Sequence, residues 1–422
     1  MDMNSLLGGV TCSCGKTHTC DIQYVYIEKG AAKRLRNLCC ERRTILLVAD
    51  ENTFAVAGEK TLAELQDKQI KQVIFDGKEV LVPNEEAIAA LTEQLENVDM
   101  IVGIGSGVIQ DLCKYVSFYN GIPYIIVATA PSMDGYASNG AAMITGGMKV
   151  TYPAGLPTAI VADVDVLVNA PMDMIKAGYG DIVGKLSALN DWKVSRCING
   201  EYFCDYIYDL TYDQIKQTLD LADGILKRDE ESIRILMQAL VTVGILMSFA
   251  GSSRPASGSE HHLSHFFEIT GILQGEEYFP HGIDVAYSTV ITSMIREKLL
   301  SVPFGDTAYR LSDAAYRRKM QTIYTSVADG CIELQKKVGN YAVNRSDTYK
   351  QKEAEIKEIL SEVPAAADIE KILALVNLNM DDFYALYSKE KIKNAVLYAK
   401  DLKDRYTVLW LYYDLLGDRE DV

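Results

Sequence analysis

The sequence carries little positive charge. Its 422 residues include 42 lysines and arginines against 58 aspartates and glutamates, which gives a formal net charge of −16 at pH 7. Nucleic acids and anionic membranes are bound through basic patches, so we expect neither as the main partner. A small anionic substrate stays compatible with this charge, because a local pocket can oppose the overall sign.

The sequence also lacks internal repeats, low-complexity linkers and a recognisable targeting segment. Residues 1–4 contain no basic region followed by an apolar run, so we expect no signal peptide and a cytoplasmic location. The nine cysteines are scattered, which suits reduced thiols better than disulfides. Residues 235–253 carry no charge, but their polar residues favour a buried core helix over a membrane span.

Short apolar runs alternate with helical patterns in the first part of the chain. This alternation predicts a parallel, doubly wound sheet with strands over 44–49, 72–75, 100–104 and 124–128 and helices over 85–95 and 108–119. Helical periodicity dominates after about residue 169, with long runs over 220–240, 282–300 and 313–338. We therefore predict a dinucleotide-binding α/β domain over residues 1–168 and an all-α domain over residues 169–422, with a cleft between them.

A glycine-rich turn follows the predicted strand over residues 100–104. Gly105, Ser106 and Gly107 open the next helix, where small residues and unpaired N–H groups suit a phosphate. The dinucleotide fingerprint GxGxxG is not matched, because Val108 occupies the third glycine position. A tight strand–helix turn without a ligand is the alternative.

Two further strand ends carry polar residues. Residues 129–138 are rich in small and hydroxyl side chains, and ligands of open α/β sheets bind at such ends. Asp134 could hydrogen-bond a substrate hydroxyl or satisfy the local backbone of a turn. Asp50 could hydrogen-bond an adenosine ribose, which favours NAD, although use of NADP stays open.

Histidine is scarce, and four of the five histidines fall within residues 261–281. His261 and His265 are four residues apart, so on a helix they share one face, while His262 lies about 100° away. Imidazole is the commonest metal ligand, and His261 and His281 supply two nitrogens. Asp181 is the candidate carboxylate, because its small, apolar surroundings make a lone charge expensive to bury. Pairing with Lys185 on a helix surface is the alternative for Asp181.

Five segments, in order, resemble the sn-glycerol-1-phosphate dehydrogenases of the iron-containing alcohol dehydrogenase and dehydroquinate synthase superfamily. They are GSGVIQDLCKYVS from Gly105, ATAPSMDGYASNGAA from Ala128, GYGDIVGK from Gly178, SRPASGSEHHLSH from Ser253 and HGIDVA from His281. The early segment CSCGKTH from Cys12 is similar to the start of the bacterial branch.

The resemblance implies reversible reduction of dihydroxyacetone phosphate to sn-glycerol 1-phosphate with NAD(H) or NADP(H). It implies one divalent metal, zinc before nickel or iron, on Asp181, His261 and His281, in the cleft of a homodimer subunit. It places Asp134, Asp181 and His265 against the substrate. The implied cofactor contacts are Gly105, Ser106, Gly107, Val108, Ile109, Thr129, Ala130, Pro131, Ser132 and Ser138.

Arg254 and Lys185 lie within two of these segments, near the inferred metal, and are candidates for binding the substrate phosphate. For each, structural pairing with a carboxylate is the alternative. Three alternative functions fit the same residues: a glycerol or polyol dehydrogenase, a dehydroquinate-synthase-like lyase, and a non-catalytic metabolite-binding protein.

The first part of the chain holds a second group of potential ligands, namely Cys12, Cys14, His18 and Cys20. Their spacing matches no familiar zinc pattern, so we expect an ordinary N-terminal loop there rather than a second metal site.

Overall fold

The computed structural model describes residues 3–78, 81–146, 148–307 and 311–417, so Met1 and Asp2 of the N-terminal segment considered above lie outside the described residues. The chain divides into two compact units, residues 1–182 with 216–253 and residues 183–215 with 254–422. This division differs from the predicted boundary at residues 168 and 169. The reason is packing, because the helix over Glu230–Ala250 lies against the turn over Asp134–Ala137 in the first unit.

The first unit is built around a six-stranded parallel sheet, which confirms the predicted sheet. The strands are β1 (Val10–Thr11), β2 (Thr17–His18), β3 (Tyr24–Glu28), β4 (Thr44–Asp50), β5 (Gln69–Phe75), β6 (Met100–Gly105), β7 (Tyr124–Ala128), β8 (Gly140–Thr145), β9 (Met148–Pro153) and β10 (Ala159–Asp163). The strand order in the six-stranded sheet is β3-β10-β7-β6-β4-β5, and the pairs β1-β2 and β8-β9 form two small antiparallel sheets.

The central strands are continuous apolar runs because both faces of the sheet are covered. β6, β7 and β10 are buried along their whole length, and β4 is buried up to Ala49. Their side chains form the main core of this unit, which includes Ile45, Leu47, Val102 and Ile125. The edge strands β3 and β5 are only partly buried.

The strand order reverses beside β4, and this position marks the expected ligand edge. The chain passes from β4 to β5 on one side and then to β6 and β7 on the other. Ligands of open α/β sheets bind at the carboxyl ends of the strands where the order reverses. Asp50 ends β4 and Gly105 ends β6, so two of the predicted cofactor positions lie at this edge.

The regular elements that the structure describes after β10 are all helical, which confirms the predicted change of character. The helices up to this point are α1 (Met3–Leu7), α2 (Leu35–Leu38), α3 (Glu51–Glu64), α4 (Glu85–Thr92) and α5 (Gly107–Asn120). Those that follow are α6 (Val164–Leu167), α7 (Met172–Asn199), α8 (Asp205–Leu219), α9 (Ala222–Leu226), α10 (Glu230–Ala250), α11 (Ser259–Gln274), α12 (His281–Ser301), α13 (Asp313–Tyr324), α14 (Ala328–Val338), α15 (Ser346–Gln351), α16 (Glu353–Leu360), α17 (Ala366–Ala374), α18 (Met380–Leu386), α19 (Lys389–Tyr398) and α20 (Val408–Leu415).

Two of the predicted helical runs are interrupted. Residues 220–240 are divided between α9 and α10 at Arg228, whose φ is 54°. Residues 313–338 are divided between α13 and α14 at Thr325, whose φ is 43°. A positive φ is costly for an L-residue and ends a right-handed helix.

The helix α10 is long and apolar enough to cross a membrane by length and composition alone. However, 72% of its most apolar window is buried inside the protein. Its buried side chains run through most of its length, which is the pattern of a core helix.

Candidate active site

The glycine turn after β6 opens α5 as predicted. β6 ends at Gly105 and α5 begins at Gly107, and Ser106 makes no side-chain cap hydrogen bond. A Cβ atom on Gly105 would lie 2.6 Å from Cβ of Ile109, so glycine is needed here for the helix to pack closely on the strand. The first N–H groups of α5, including that of Val108, have no intrahelical acceptor and suit an anion.

The second predicted turn is tied directly to the first. The backbone N–H of Thr129 donates to the carbonyl of Gly105 (3.1 Å). The hydroxyl of Tyr136 donates to the carbonyl of Ala130 (2.8 Å). The structure therefore brings residues 129–132 and residues 105–109 to one edge of the sheet.

Lys114 fixes the end of this second turn and was not anticipated from the sequence. Its buried ammonium donates to the carbonyls of Gly135 and Gly140 (2.9 Å each) and to Ser138 Oγ (3.1 Å). Burial lowers the pKa of Lys114, and nearby Asp111 opposes that shift. Ser138, a predicted cofactor contact, is thus held by the protein, and Lys114 could have been found only as a charged residue on the apolar face of α5.

Asp50 occupies a capping position. Its Oδ1 accepts a hydrogen bond from the backbone N–H of Thr53 (2.8 Å), and Thr53 Oγ1 accepts one from the N–H of Asp50 (3.0 Å). The carboxylate therefore caps α3 at the ligand edge. Its contact with an adenosine ribose stays a prediction.

The structure brings Asp134 and Asp181 together in the first unit. Asp181 lies on α7 with no exposed surface, and its Oδ2 accepts a hydrogen bond from the backbone N–H of Asp134 (2.9 Å). The close approach of α7 depends on Gly178, because a Cβ atom there would lie 1.9 Å from the carbonyl oxygen of Pro131. This N–H fixes the orientation of the Asp181 carboxylate.

Three of the clustered histidines share one region of the second unit. The ring centroids of His261 and His281 are 5.1 Å apart, and that of His265 is 5.5 Å from His281 and 6.1 Å from His261. His262 is fully buried, and burial lowers its pKa well below the usual value. His262 is therefore a neutral core residue.

Both proposed ligand histidines have their Nδ1 atoms held by an oxygen. Glu260 Oε1 accepts a hydrogen bond from His261 Nδ1 (2.7 Å). Ser264 Oγ lies 3.4 Å from His281 Nδ1 and donates to the carbonyl of His281 (3.4 Å), so its lone pair can accept from Nδ1. A proton on Nδ1 leaves the lone pair on Nε2, which is the arrangement typical of metal-bound histidine.

Glu260 and a buried ion pair position the start of α11, and neither was predicted from the sequence. Burial raises the pKa of Glu260, while the N–H of Gly258 donates to its Oε1 (2.8 Å). Asp191 accepts from the N–H of Ser259 (2.6 Å) and from Arg296 (3.0 Å). Glu260 could have been identified from the sequence, because it directly precedes the candidate ligand His261.

The candidate phosphate-binding residues are both buried. Arg254 donates to both carboxylate oxygens of Glu201 (2.8 and 2.6 Å) and to the carbonyl of Tyr406 (2.6 Å). The structure thus gives Arg254 the carboxylate pairing that was the alternative to phosphate binding. Lys185 is fully buried, and its positive charge partly opposes the rise in the pKa of Glu260 that burial causes. Its contact with a phosphate stays a prediction.

Comparison with known proteins places the chain in a class. A family described as iron-containing alcohol dehydrogenase matches residues 26–171. The iron-containing alcohol dehydrogenase of Thermococcus thioreducens has the same fold, with a TM-score of 0.60 at 14% identity over 94% of this chain and 98% of that one.

Two named relatives define the class more narrowly. The glycerol-1-phosphate dehydrogenase (NAD(P)+) of Halalkalibacterium halodurans is 29% identical over 407 residues, 94% of each chain. The protein of the same name in Bacillus subtilis is 30% identical over 75% of this chain and 81% of its own. The chain belongs to the glycerol-1-phosphate dehydrogenase family, within the iron-containing alcohol dehydrogenases, which confirms the resemblance seen in the sequence.

Proposed function

We propose that this protein catalyses the reversible, metal-dependent reduction of dihydroxyacetone phosphate to sn-glycerol 1-phosphate with NADH or NADPH. The names of its relatives support this reaction. The observation that carries it is the pair His261 and His281, whose Nδ1 atoms both face oxygen acceptors in the second unit. An oxygen acceptor at Nδ1 leaves the Nε2 lone pair of each imidazole available to bind a metal. This arrangement is expected at a metal centre rather than in a packed core.

The proposed metal ligands are Asp181, His261 and His281, a group of residue types that could hold a metal ion. Two imidazole nitrogens and one carboxylate oxygen suit zinc, nickel and iron, and three protein ligands leave a position open for substrate. Each ligand has a supporting group: the N–H of Asp134, the carboxylate of Glu260 or the hydroxyl of Ser264. We propose zinc as the native metal.

The proposed dinucleotide site lies at the carboxyl edge of the sheet. The N-terminus of α5 binds the pyrophosphate through backbone N–H groups of residues 105–109, since an uncapped helix start attracts anions. Residues 129–132 and Ser138 form the adjoining wall. Asp50 at the end of β4 lies where an adenosine ribose is bound in this type of sheet.

The chemistry divides between the bound groups and the side chains. A metal on these ligands supplies a Lewis acid for the C2 oxygen of the triose, and a bound reduced nicotinamide supplies the hydride. His265, near both ligand histidines, delivers a proton to the C2 oxygen in reduction and accepts one in oxidation. Asp134 orients a substrate hydroxyl, and Lys185 neutralises the substrate phosphate.

We further propose a cytoplasmic homodimer. The nine cysteines, none of which forms a disulfide, support a reducing compartment. The homodimer rests on the family resemblance alone, and light scattering of the purified protein tests it.

The test of the reaction uses protein stripped of metal and then supplied separately with zinc, nickel or iron(II). Oxidation of NADH and of NADPH is followed with dihydroxyacetone phosphate and with free dihydroxyacetone. We expect turnover of the phosphorylated ketone only, and only after metal is restored. Preference for the free ketone would identify a polyol dehydrogenase, and absence of turnover with every pairing would refute the proposal.

Matched variants separate the roles of the side chains. Asp181→Asn should lose the metal of the proposed catalytic site together with the activity, while Asp223→Asn, at a side chain 91% exposed on α9, should change neither. His265→Asn should lower kcat and alter its pH profile while metal content stays unchanged. Equal loss of metal in His265→Asn would move His265 into the ligand set.

A further inference from the structure

Cys12 and Cys14 lie in the turn of a β-hairpin, whereas the sequence predicts an ordinary loop there. β1 and β2 pair antiparallel, with Val10 opposite His18. The turn is closed by hydrogen bonds from the N–H of Cys12 to the carbonyl of Lys16 (3.0 Å) and from the N–H of Gly15 to the carbonyl of Cys12 (3.1 Å). Gly15 has a φ of 87°, which suits glycine at this position of a tight turn.

This hairpin turns two sulfur atoms and one imidazole toward each other. Cys14 Sγ lies 3.4 Å from His18 Nε2, and the N–H of Cys14 donates to Cys12 Sγ (3.5 Å). Thiolate sulfur and the lone pair of an imidazole nitrogen are both metal ligands, so this arrangement gathers ligand atoms at one point.

His18 is oriented as a ligand by the core of the first unit. Its ring is 1% exposed and stacks on Phe249, with ring centroids 5.4 Å apart. The carbonyl of Phe249 accepts a hydrogen bond from His18 Nδ1 (3.0 Å). The proton is thus on Nδ1, and the Nε2 lone pair faces the sulfur of Cys14. A backbone carbonyl on the far nitrogen is the usual support of a metal-bound histidine.

We propose that Cys12, Cys14 and His18 bind a zinc ion. All three residues belong to a group that could hold a metal ion. Thiolate sulfur and imidazole nitrogen are the usual ligands of structural zinc sites, and soft sulfur ligands select zinc over harder cations. Cys20 is outside the group, and burial raises the pKa of its thiol.

The proposed zinc ion would stabilise a hairpin that is too small to be stable by itself. Strands of two residues each supply too few backbone hydrogen bonds for independent stability. His18 joins the hairpin to Phe249 near the end of α10, and α10 packs against the turn that contains Asp134. Metal binding therefore stabilises the folded chain by mass action, separately from the catalytic metal.

Metal content of the full-length protein tests the site. Protein purified in the presence of zinc should contain two zinc ions per chain, and Cys14→Ser should contain one. The conservative controls are Cys20→Ser and Cys40→Ser, at cysteines outside the group, and both should keep two. A Cys14→Ser variant that keeps the full wild-type zinc content would overturn the proposal.

Cobalt(II) substitution gives a readout that needs no variant at the hairpin. Only a site with cysteine ligands shows intense thiolate-to-cobalt absorption in the near ultraviolet, and the Asp181, His261 and His281 group contains no sulfur. Wild-type protein loaded with cobalt should show this band, and the double variant His261→Ala, His281→Ala should keep it. A cobalt-loaded wild type without the band would refute the hairpin site while leaving the proposed dehydrogenase reaction untouched.

Discussion

Replacing Gly178 by alanine tests the contact that places α7 against the turn after β7. In the structure a Cβ atom at this position would lie 1.9 Å from the carbonyl oxygen of Pro131. Real Cβ contacts essentially never fall below 3.0 Å, so the helix and the turn must separate by about 1.1 Å (3.0 − 1.9). A backbone carbonyl cannot move aside as a flexible side chain can.

The separation has two measurable consequences. If it were transmitted fully to the hydrogen bond from the Asp134 N–H to Asp181 Oδ2, the 2.9 Å distance would grow to about 4.0 Å (2.9 + 1.1), beyond the roughly 3.2 Å limit of such bonds. A misplacement of about 1 Å near a reacting centre can cost about 100-fold in rate. We therefore expect kcat/KM of Gly178→Ala to fall by about 10- to 100-fold.

A second helical glycine supplies the matched control. Gly330 lies in α14, and a Cβ atom there would meet nothing within 4 Å. Alanine should stabilise a helix by about 0.5–1 kcal/mol over glycine at both positions, whereas overpacking costs about 1–3 kcal/mol at Gly178 alone. The two variants should thus differ by about 1–3 kcal/mol in urea unfolding followed by circular dichroism. Equal stability and equal activity of the two variants would refute the close approach of α7 to Pro131.

Three other predictions concern single side chains. Glu260→Gln removes the carboxylate that accepts a hydrogen bond from His261. The metal affinity, measured by competition with a chromogenic chelator, should weaken by about 10- to 100-fold. An unchanged affinity would contradict the supporting role of Glu260. Arg254→Met breaks the partly buried ion pair with Glu201 and should lower the free energy of unfolding in urea by about 1–3 kcal/mol. The KM for the phosphorylated ketone should stay unchanged. A raised KM would instead support phosphate binding by Arg254. Burial raises the pKa of Cys39 from 9.0 to about 11, so its neutral thiol stabilises the fold below pH 9, and that contribution is lost as the pH rises toward 11. At pH 8, mass spectrometry after alkylation should find exposed Cys40 labelled well before Cys39, and equal labelling would contradict the burial.

The sequence determined the central strands and the residues at their ends. β4, β6 and β7 appear as apolar runs of the right length because a strand covered on both faces needs no polar alternation. The edge strand β3 escaped notice since it is half-exposed and lacks such a run. β10 is as deeply buried as β7 but was not predicted, and nothing in its burial explains the difference.

Only the tertiary structure decided which distant residues meet. From the sequence, Arg254 could bind either a substrate phosphate or a protein carboxylate. In the folded chain it pairs with Glu201, which is 53 positions away. The sequence predicts an ordinary loop around Cys12 and Cys14. In the folded chain a hairpin places Cys14 beside His18, and the carbonyl of Phe249 orients the His18 ring, so that these residues can act as metal ligands. Local patterns report burial along one element, because each residue's neighbours on a strand or helix are fixed by its period. Contacts between elements depend on how whole surfaces fit, and that information is spread over the entire chain.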